Sequence, residues 1–325
     1  MRIAFIGTGN IARQHAQGLA EQEKAEFVAG YDAIPGRARA FTENFGGQPY
    51  ESLSEMLDEA APDAAWVCLP PFAHGEAEIA LLDRGIPFLV EKPVSNSIHT
   101  ARQIAEKVEE TGILVAAGYM NRYRRGVNRA KELLADDPAV LVHGAWIGGT
   151  PGVPWWRQKS LSGGQIVEQT THIFDLVRYL VGEPETVCAE AARGFVRDIP
   201  DYDVEDASTV AVKFASGAVG SLISSCANRS GGGGVHLTIV ARDHVSNFTG
   251  WDNALVIQKS QLEQEHIAGE PNIFAIEDAA FLRAVEEEDP SLVRSPYADA
   301  VKTLAFCLAA NKALETNEVI DVASI

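Results

Sequence analysis

Short runs of β-branched and aromatic residues alternate with amphipathic stretches over the first part of the chain, from Arg2 to about Gly118. This alternation is typical of βαβ units around a parallel sheet. The predicted strands are Ile3–Ile6, Ala25–Tyr31, Ala64–Leu69, Pro87–Val90 and Ile113–Ala117. The predicted helices are Ile11–Glu21, Pro35–Asn44, Leu53–Ala60, Gly75–Arg84 and Ser97–Glu110, with Ser52 and either Ser95 or Asn96 as N-caps. The pattern therefore predicts a doubly wound α/β domain.

After a predicted helix at Asn128–Ala135, the pattern changes to longer extended runs separated by glycine-rich or polar turns. The predicted strands are Val140–Trp146, Thr186–Phe195, Ser208–Phe214, Ala218–Cys226, Val235–Val240 and Leu255–Gln258. The run Ser230–Gly234 is interpreted as a hairpin connection, because a phosphate-binding loop would be followed by a helix. Further helices are predicted at Ile166–Val181, Ile276–Glu287 and Ala298–Leu314. This part is predicted to be an α+β domain with a large, mostly antiparallel open sheet.

The length and the composition limit the kind of protein. A chain of 325 residues exceeds one ordinary core, so we expect two domains, which the change of pattern places at residues 1–121 and 122–325. The net charge of −18 argues against binding to nucleic acid or to an anionic membrane. The four cysteines lie far apart without metal-ligand spacing, which predicts neither a metal site nor disulfides and favours a reducing compartment.

The start of the chain leads directly into the first predicted strand, without the apolar segment of a secretory leader. No apolar run approaches the roughly 20 residues that a membrane-spanning helix needs. We therefore expect a soluble, cytoplasmic protein.

A glycine motif joins the first predicted strand to the first predicted helix, with the sequence Gly-Thr-Gly-Asn-Ile-Ala from Gly7 to Ala12. Gly7 permits a tight turn, Gly9 lets the backbone approach a pyrophosphate, and Ala12 allows the helix to pack closely on the strand. Asn10 and Ile11 begin the helix, and the N–H groups of its first turn attract phosphate. The motif predicts a Rossmann-type dinucleotide site in residues 1–121.

The choice of dinucleotide depends on Asp32, which ends the second predicted strand 20 residues after the motif. A carboxylate at this distance can accept a hydrogen bond from the 2′-hydroxyl of the adenine ribose. The same charge would repel the 2′-phosphate of NADP, and Ala33 and Ile34 follow where NADP binding would favour a basic residue. The sequence therefore favours NAD over NADP.

Distinctive residues follow three successive predicted strands at the carboxyl ends, where open α/β sheets bind their ligands. Pro70 and His74 follow the first of these strands, Glu91 and Lys92 the second, and Asn121 the third. We expect these residues to converge on one edge of the sheet and to contribute to cofactor binding.

Three motifs occur in order along the chain: Gly7–Ala12, Glu91–Pro93 (Glu-Lys-Pro) and Gly163–Asp175 (Gly-Gly-Gln-Ile-Val-Glu-Gln-Thr-Thr-His-Ile-Phe-Asp). A pattern of two helices and a short strand closes the chain from Asn272 to Asp321. With these features the chain resembles the glucose-fructose oxidoreductase and inositol dehydrogenase family (Gfo/Idh/MocA) over essentially its whole length. The resemblance implies that residues 122–325 bind the substrate and pair subunits through their sheet into a homodimer or homotetramer.

The resemblance also implies catalytic roles. The family's Glu-Lys-Pro lysine lies at the nicotinamide and the substrate oxygen, which assigns Lys92 to polarising that oxygen. The family's motif histidine takes the hydroxyl proton, which assigns this role to His172. Glu168 stands where sugar and inositol dehydrogenases usually have Asp, so it is expected either to contact a substrate of different shape or to pair with Lys92. Asp175 is interpreted mainly as a supporting or packing residue.

Further residues have two interpretations each. Asn121 and Arg122 correspond to a family segment beside the nicotinamide ribose, or are polar residues that begin a helix. Trp155 and Trp156 are candidates to stack on a sugar ring, or pack in the core or an interface.

The resemblance also concerns two histidines, His15 and His74, whose counterparts in sequences of this family lie near the cofactor. For His15, packing within the first helix is favoured over a role near the pyrophosphate. For His74, a structural role and a role near the nicotinamide remain equally open.

The leading interpretation is an NAD(H)-dependent dehydrogenase that oxidises a hydroxyl of a sugar, cyclitol or related polyol by hydride transfer. One alternative is a glycosidase-type enzyme that uses tightly held NAD for transient oxidation and elimination, without net NADH production. The other is a non-catalytic dinucleotide-binding regulator, which we would expect to lack either Lys92 or His172. The sequence identifies neither the substrate nor the hydroxyl that reacts.

Overall fold

The computed structural model describes residues 1–230 and 232–325. Within them the strands are β1 (Arg2–Ile6), β2 (Glu26–Tyr31), β3 (Gln48–Tyr50), β4 (Ala64–Val67), β5 (Phe88–Val90), β6 (Val115–Ala117), β7 (Leu141–Ile147), β8 (Pro184–Ala192), β9 (Ala207–Phe214), β10 (Val219–Ser225), β11 (Gly234–Val240), β12 (Val245–Thr249), β13 (Ala254–Gln258), β14 (Gln264–Ile267) and β15 (Ile320–Asp321). Gly231, within the predicted hairpin connection, lies outside the described residues.

The α-helices of the described residues are α1 (Asn10–Ala20), α2 (Arg37–Phe45), α3 (Leu53–Ala60), α4 (Glu76–Leu82), α5 (Ile98–Thr111), α6 (Arg125–Asp136), α7 (Lys159–Ser162), α8 (Gly164–Glu168), α9 (Thr171–Val181), α10 (Ile273–Glu286) and α11 (Tyr297–Thr316). Short 3₁₀ helices occupy Pro71–Ala73, Met120–Tyr123, Pro154–Arg157, Pro290–Leu292 and Val322–Ser324. The chain divides into two compact units.

Unit 1 comprises Met1–Met120 and Asn272–Val301. Its sheet is parallel, with the strand order β3-β2-β1-β4-β5-β6. This is the strand order of a dinucleotide-binding Rossmann fold, and it confirms the predicted doubly wound α/β domain. The edge strand β3 was not predicted because it is only three residues long, contains Pro49 and lacks buried positions that could show a periodic pattern.

Side-chain caps fix where two helices of unit 1 begin. Ser52 caps α3 by accepting a hydrogen bond from the Glu55 N–H, as predicted. The predicted cap of α5 at Ser95 or Asn96 is wrong, because Ser97 caps this helix through the Thr100 N–H. Ser95 Oγ instead accepts a hydrogen bond from the Ser97 N–H and orders the turn that leads into the helix.

Residues 272–301 belong to the compact unit 1, although the sequence analysis grouped them with residues 122–325. Helix α10 approaches α1 so closely that a Cβ on Gly18 would lie 2.9 Å from Ala275 Cα. Phe281 joins the same buried cluster as Trp66, and the two rings are 5.3 Å apart in a T-shaped contact. This burial of the apolar side of α10 explains the difference.

Unit 2 comprises Asn121–Pro271 and Lys302–Ile325. Its sheet has the strand order β14-β13-β12-β11-β7-β10-β9-β8-β15. All neighbouring pairs are antiparallel except β7 and β10, whose register runs from Leu141 beside Val219 to Ile147 beside Ser225. The predicted large, mostly antiparallel sheet is confirmed. β12 and β14 were not predicted, because both are short and are largely polar.

The predicted single helix Ile166–Val181 is wrong, because α8 ends at Glu168 and α9 begins at Thr171. The N–H groups of Gln169 and Thr170 both donate to the Gln165 carbonyl, which closes the first helix. Thr170 Oγ1 pairs with Ser224 Oγ at 2.8 Å and ties the break to strand β10. Glu168 and His172 therefore lie on two separate helices.

Candidate functional site

The loop between β1 and α1 has the shape that a phosphate group requires. Gly7 has a φ of 81°, and a Cβ there would collide with the carbonyl oxygen of Cys68. Gly9 is the N-cap of α1 without a side-chain cap, and a Cβ at this position would meet no atom within 4 Å. No side chain therefore caps the N–H groups of the first turn, which begin at Asn10 and Ile11, and the space beside Gly9 lets a phosphate approach them.

Asp32 lies just after β2, and its carboxylate is fixed on the same loop. Oδ2 accepts hydrogen bonds from the Thr8 N–H at 2.9 Å and from Thr8 Oγ1 at 3.1 Å, while Oδ1 accepts from the Ile34 N–H at 2.9 Å. The side chain is half-buried, so it can still meet a ligand. The uncapped helix, the open space at Gly9 and this carboxylate fit the pyrophosphate and adenine ribose of NAD.

A buried network lies directly before Lys92. His15 Nδ1 is 2.7 Å from Asp278 Oδ1, and His15 Nε2 is 3.0 Å from Glu91 Oε1. Trp66 Nε1 donates to the same Asp278 oxygen at 2.8 Å, and the Lys92 N–H donates to Glu91 Oε2 at 2.9 Å. Glu91 therefore holds the backbone of Lys92 and is itself held by His15. Sequence reasoning favoured simple helix packing for His15 and did not name Asp278.

The charges in this network favour an imidazolium at His15. Burial alone would lower the pKa of His15, but the charges and hydrogen bonds of Asp278 and Glu91 outweigh it and raise that pKa well above its usual value. Burial raises the pKa of Asp278, although the neighbouring His15 acts in the opposite direction.

The two predicted cofactor residues after β4 differ in accessibility. Pro70 is half-buried and precedes the 3₁₀ helix Pro71–Ala73. The imidazole of His74 is buried, with Nδ1 2.6 Å from Glu78 Oε1, while Glu78 Oε2 accepts the Gly75 N–H at 2.7 Å. These bonds give His74 a structural task at the start of α4, and its role toward the cofactor stays a prediction.

His172 lies within a group of aromatic rings in unit 2. Its imidazole stacks on Trp146 with ring centroids 5.6 Å apart and planes 17° apart, and lies 6.1 Å from Trp251 in an edge contact. Trp146 and Trp251 also meet edge to face, at 5.4 Å. The rings fix the orientation of the imidazole on the first turn of α9.

The predicted tryptophan pair has a different environment. Trp156 is completely buried, and its Nε1 donates to Glu168 Oε2 at 2.7 Å. Trp155 is half-buried and packs on the small apolar cluster that contains Trp156. Trp156 is therefore shielded from a sugar ring, and it orients Glu168.

Two buried arginines follow the Rossmann strands in sequence. Arg122 donates to both carboxylate oxygens of Asp175, at 2.8 and 2.5 Å, and Thr303 Oγ1 donates to one of them at 2.9 Å. This geometry supports the interpretation of Asp175 as a structural residue. Asn121 Oδ1 accepts from Arg124 Nε at 2.7 Å, so this predicted cofactor residue takes part in a buried network of unit 2.

Sequence reasoning missed Trp146, Trp251, Arg124 and Asp278, and it did not predict the contacts of His15 with Asp278 and Glu91. Trp146 and Trp251 are more than 100 positions apart, and the sheet register brings them together because Val235 pairs with Trp146 and accepts the Gly250 N–H. The available signal was weak: a tryptophan at a predicted strand end and another in a polar turn.

Two further findings concern the described part of the chain alone. None of its helices combines the length and the apolar character that crossing a bilayer requires. In the same residues, no three His, Cys, Asp or Glu side chains are grouped so that they could hold a metal ion.

The strand order and the glycine loop define a dinucleotide-binding Rossmann protein, and the family comparison names the group. Residues 1–119 match the family described as "Oxidoreductase family, NAD-binding Rossmann fold", and residues 138–243 match the "GFO/IDH/MocA C-terminal domain". The chain belongs to the Gfo/Idh/MocA oxidoreductase family. By family it is an oxidoreductase with an NAD-binding Rossmann domain, as the resemblance and the Asp32 position predicted.

Individual relatives agree with this assignment. The scyllo-inositol 2-dehydrogenase (NAD(+)) of Bacillus subtilis is 27% identical over 231 residues, 69% of this chain and 67% of the relative. The myo-inositol 2-dehydrogenase of Thermotoga maritima is 28% identical over 228 residues, 69% of this chain and 68% of the relative. The crystal structure of the WlbA dehydrogenase from Bordetella pertussis, in complex with NADH and UDP-GlcNAcA, has a TM-score of 0.85, 20% identity and 98% coverage of each chain.

Proposed function

We propose that the protein oxidises one hydroxyl of a cyclitol or sugar to a carbonyl group, with NAD as the oxidant. Two relatives named as inositol dehydrogenases support the substrate class. The observation that carries the proposal is the combination of an NAD-type loop with Lys92 directly after β5 and His172 among aromatic rings on α9.

Lys92 polarises the reacting oxygen. Its backbone N–H donates to Glu91 Oε2, so the side chain extends from a fixed backbone position at the carboxyl end of a Rossmann strand. A cation at the oxygen stabilises the negative charge that develops when the hydroxyl loses its proton. Lys92 can serve this purpose as a point charge.

His172 accepts the hydroxyl proton. Its imidazole is held by the stacked ring of Trp146, which limits the directions in which a proton can reach it. Glu168, whose carboxylate is oriented by Trp156 Nε1, binds the substrate or the imidazolium that forms. Bound NAD supplies the hydride acceptor, so the alcohol loses one proton and one hydride and becomes a carbonyl compound.

The first test is NADH formation, followed by nicotinamide absorbance, with a panel of inositols, aldoses and deoxy or amino sugars. Lys92→Ala and His172→Ala should each lower kcat by at least about 100-fold while NAD binding persists. Lys312→Ala and His99→Ala are matched controls, because both side chains are exposed on helices, and they should retain full activity.

The double variant tests whether the two residues serve one step. Groups that act together give strongly non-additive losses, so Lys92→Ala combined with His172→Ala should cost little more than either single change. Full activity of either single variant would overturn the assigned roles. Consumption of a glycoside without net NADH would favour transient oxidation and elimination, and saturable NAD binding without any turnover would favour a regulator.

We further propose a cytoplasmic enzyme that forms a homodimer or homotetramer through the sheet of unit 2. All four cysteines, Cys68, Cys188, Cys226 and Cys307, are free thiols, which is usual in reducing compartments. The sheet face with His143 and His236 is only partly buried, and a second subunit would cover such a face. Light scattering at several concentrations tests the assembly.

A further inference from the structure

A large apolar side chain stands exposed next to the proposed proton acceptor. Trp251 keeps 48% of its surface accessible, although its ring touches both Trp146 and His172. Trp146 lies parallel to the imidazole, and Trp251 stands at 85° to it. The three rings therefore form a corner with one open indole, which we call the aromatic corner (Trp146, His172 and Trp251).

The turn that carries Trp251 is held by a buried arginine. Arg124 has no exposed surface, and its Nη2 donates to the Trp251 carbonyl at 2.9 Å. Its Nη1 donates to the carbonyls of Asp252 at 2.6 Å and Glu270 at 2.7 Å, and its Nε donates to Asn121 Oδ1 at 2.7 Å.

The second side of the turn is equally fixed. Asn253 Nδ2 donates to Asn121 Oδ1 at 3.1 Å, and the Gly250 N–H donates to the Val235 carbonyl of the neighbouring strand at 2.9 Å. The backbone around Trp251 is thus tied from both sides, so the indole is presented by a rigid frame.

This arrangement is costly for a purely structural turn. Burial lowers the pKa of Arg124 to about 10, against the opposing charges of Glu270 and Asp252, which shows how strongly the guanidinium is desolvated. A turn in a hairpin ordinarily carries polar residues, whereas this turn holds an indole beside the proposed proton acceptor, a position that suits an aromatic side chain that binds a ligand. Of the two indoles that the sequence suggested, Trp156 is excluded because it is completely buried, and Trp155 packs on the small cluster that contains Trp156.

We propose that the aromatic corner is a substrate subsite, on which the open face of Trp251 stacks against a ring of the substrate. Indoles bind saturated rings through apolar area and through contact of polarised C–H groups with the π-face. The subsite therefore selects polyols with a six-membered ring that presents C–H groups on one face, such as a cyclitol or a pyranose, over acyclic polyols. The inference rests on the proposed function for one point, namely that the ligand is a polyol.

The test measures binding separately from turnover. Saturation-transfer NMR with scyllo-inositol, methyl β-D-glucopyranoside and sorbitol reports which ligand protons touch the protein, on the full chain with NAD present. Strong transfer to the ring C–H protons of the two cyclic probes, and weak transfer to sorbitol, is expected for the native protein. Trp251→Ala should weaken binding of the cyclic probes at least about tenfold, and Trp251→Phe should restore most of it.

Phe195→Ala is the matched control, because Phe195 is an exposed aromatic residue of the same unit and should leave binding unchanged. With a substrate that turns over, Trp251→Ala should raise KM by a larger factor than it lowers kcat, because the indole binds the substrate ring directly and acts on the chemical step only through His172; a merely structural loss would lower kcat at least as much. Unchanged binding of the cyclic probes in Trp251→Ala, or no binding of any cyclic probe to the native protein, overturns the subsite. Trp251-dependent binding without NADH formation overturns the proposed dehydrogenase reaction and leaves the subsite standing.

Discussion

His15 and Asp278 form a completely buried ion pair, with His15 Nδ1 2.7 Å from Asp278 Oδ1, although 263 positions separate them in the sequence. The pair joins α1, which begins at the glycine loop, to α10, which returns from the far end of the chain. The other nitrogen of His15 binds Glu91, the residue before Lys92. One imidazole thereby connects the cofactor-binding helix, the returning helix and the strand end that carries the proposed catalytic lysine.

His15→Ala should destabilise the protein strongly, because it leaves the carboxylates of Asp278 and Glu91 buried without their shared cation. Breaking a buried charge pair costs about 3–5 kcal/mol, and this loss should appear in urea unfolding at neutral pH. His99→Ala, on the exposed side of α5, should change the free energy of unfolding by less than about 0.5 kcal/mol. An equally small effect of His15→Ala would show that the network contributes nothing to stability.

The local pattern of the sequence was sufficient to predict most of the fold. Strand β4 was detectable because Ala64–Val67 is buried at every position, as in a parallel sheet covered on both faces. The break between α8 and α9 was not detectable, because the hydrogen bond at the break joins Thr170 to Ser224, which lies 54 positions away on strand β10. A local pattern contains no information about that contact.

The same limit applies to the candidate site. Gly7, Gly9 and Asp32 were identifiable because a turn, an approaching ligand and a ribose hydroxyl each restrict the residue type at a fixed spacing. The partners of His172 were not identifiable, because Trp146 and Trp251 meet through the register of three strands. Trp155 and Trp156 were closer in sequence to the motif, yet Trp156 is buried against Glu168.

The two glycines of the dinucleotide loop should respond differently to alanine. Gly7→Ala introduces a Cβ that collides with the Cys68 carbonyl at a positive φ, so both the melting temperature without ligand and the NAD affinity should fall. Gly9→Ala meets no protein atom and has an ordinary φ of −74°, so the melting temperature without ligand should remain unchanged. Its methyl group occupies the space offered to the pyrophosphate, so NAD affinity should fall by about tenfold or more. Calorimetry with and without NAD measures both quantities, and native-like NAD affinity in Gly9→Ala would contradict the assignment of the cradle.

Two substitutions of Glu168 can separate the effect of its negative charge from the effect of its hydrogen bond to Trp156. Glu168→Gln keeps an oxygen acceptor for Trp156 Nε1 and removes the negative charge, so stability should stay within about 0.5 kcal/mol while kcat falls. Glu168→Asp keeps the charge but withdraws the carboxylate, so the buried indole loses its acceptor and the free energy of unfolding should fall by about 1–3 kcal/mol. The shorter side chain should also lower kcat by up to about 100-fold, since small misplacements are costly.

Urea unfolding measures the stability of both Glu168 variants, and steady-state kinetics measures their kcat. A fully active Glu168→Gln would limit Glu168 to a structural task at Trp156. A fully active and stable Glu168→Asp would show instead that neither activity nor the hydrogen bond to Trp156 needs the longer side chain of Glu168.

The buried pair of Glu78 and His74 should give the stability of unit 1 a defined dependence on pH. Burial would raise the pKa of Glu78, but the charge and hydrogen bond of His74 and the Gly75 N–H outweigh it, so the pKa in the folded protein is below its model-peptide value of 4.5. A carboxyl with a depressed pKa in the folded state contributes stability that is fully present above its unfolded pKa, and this contribution disappears as the pH falls through the folded pKa. Glu78→Gln should therefore lower the free energy of unfolding by about 3 kcal/mol at pH 7, and the difference from the native protein should shrink steadily at acid pH. Thermal unfolding of both proteins across this range measures the difference. A gap that stays constant with pH would mean that the hydrogen bond to the Gly75 N–H, and not the charge of Glu78, is what stabilises the start of α4.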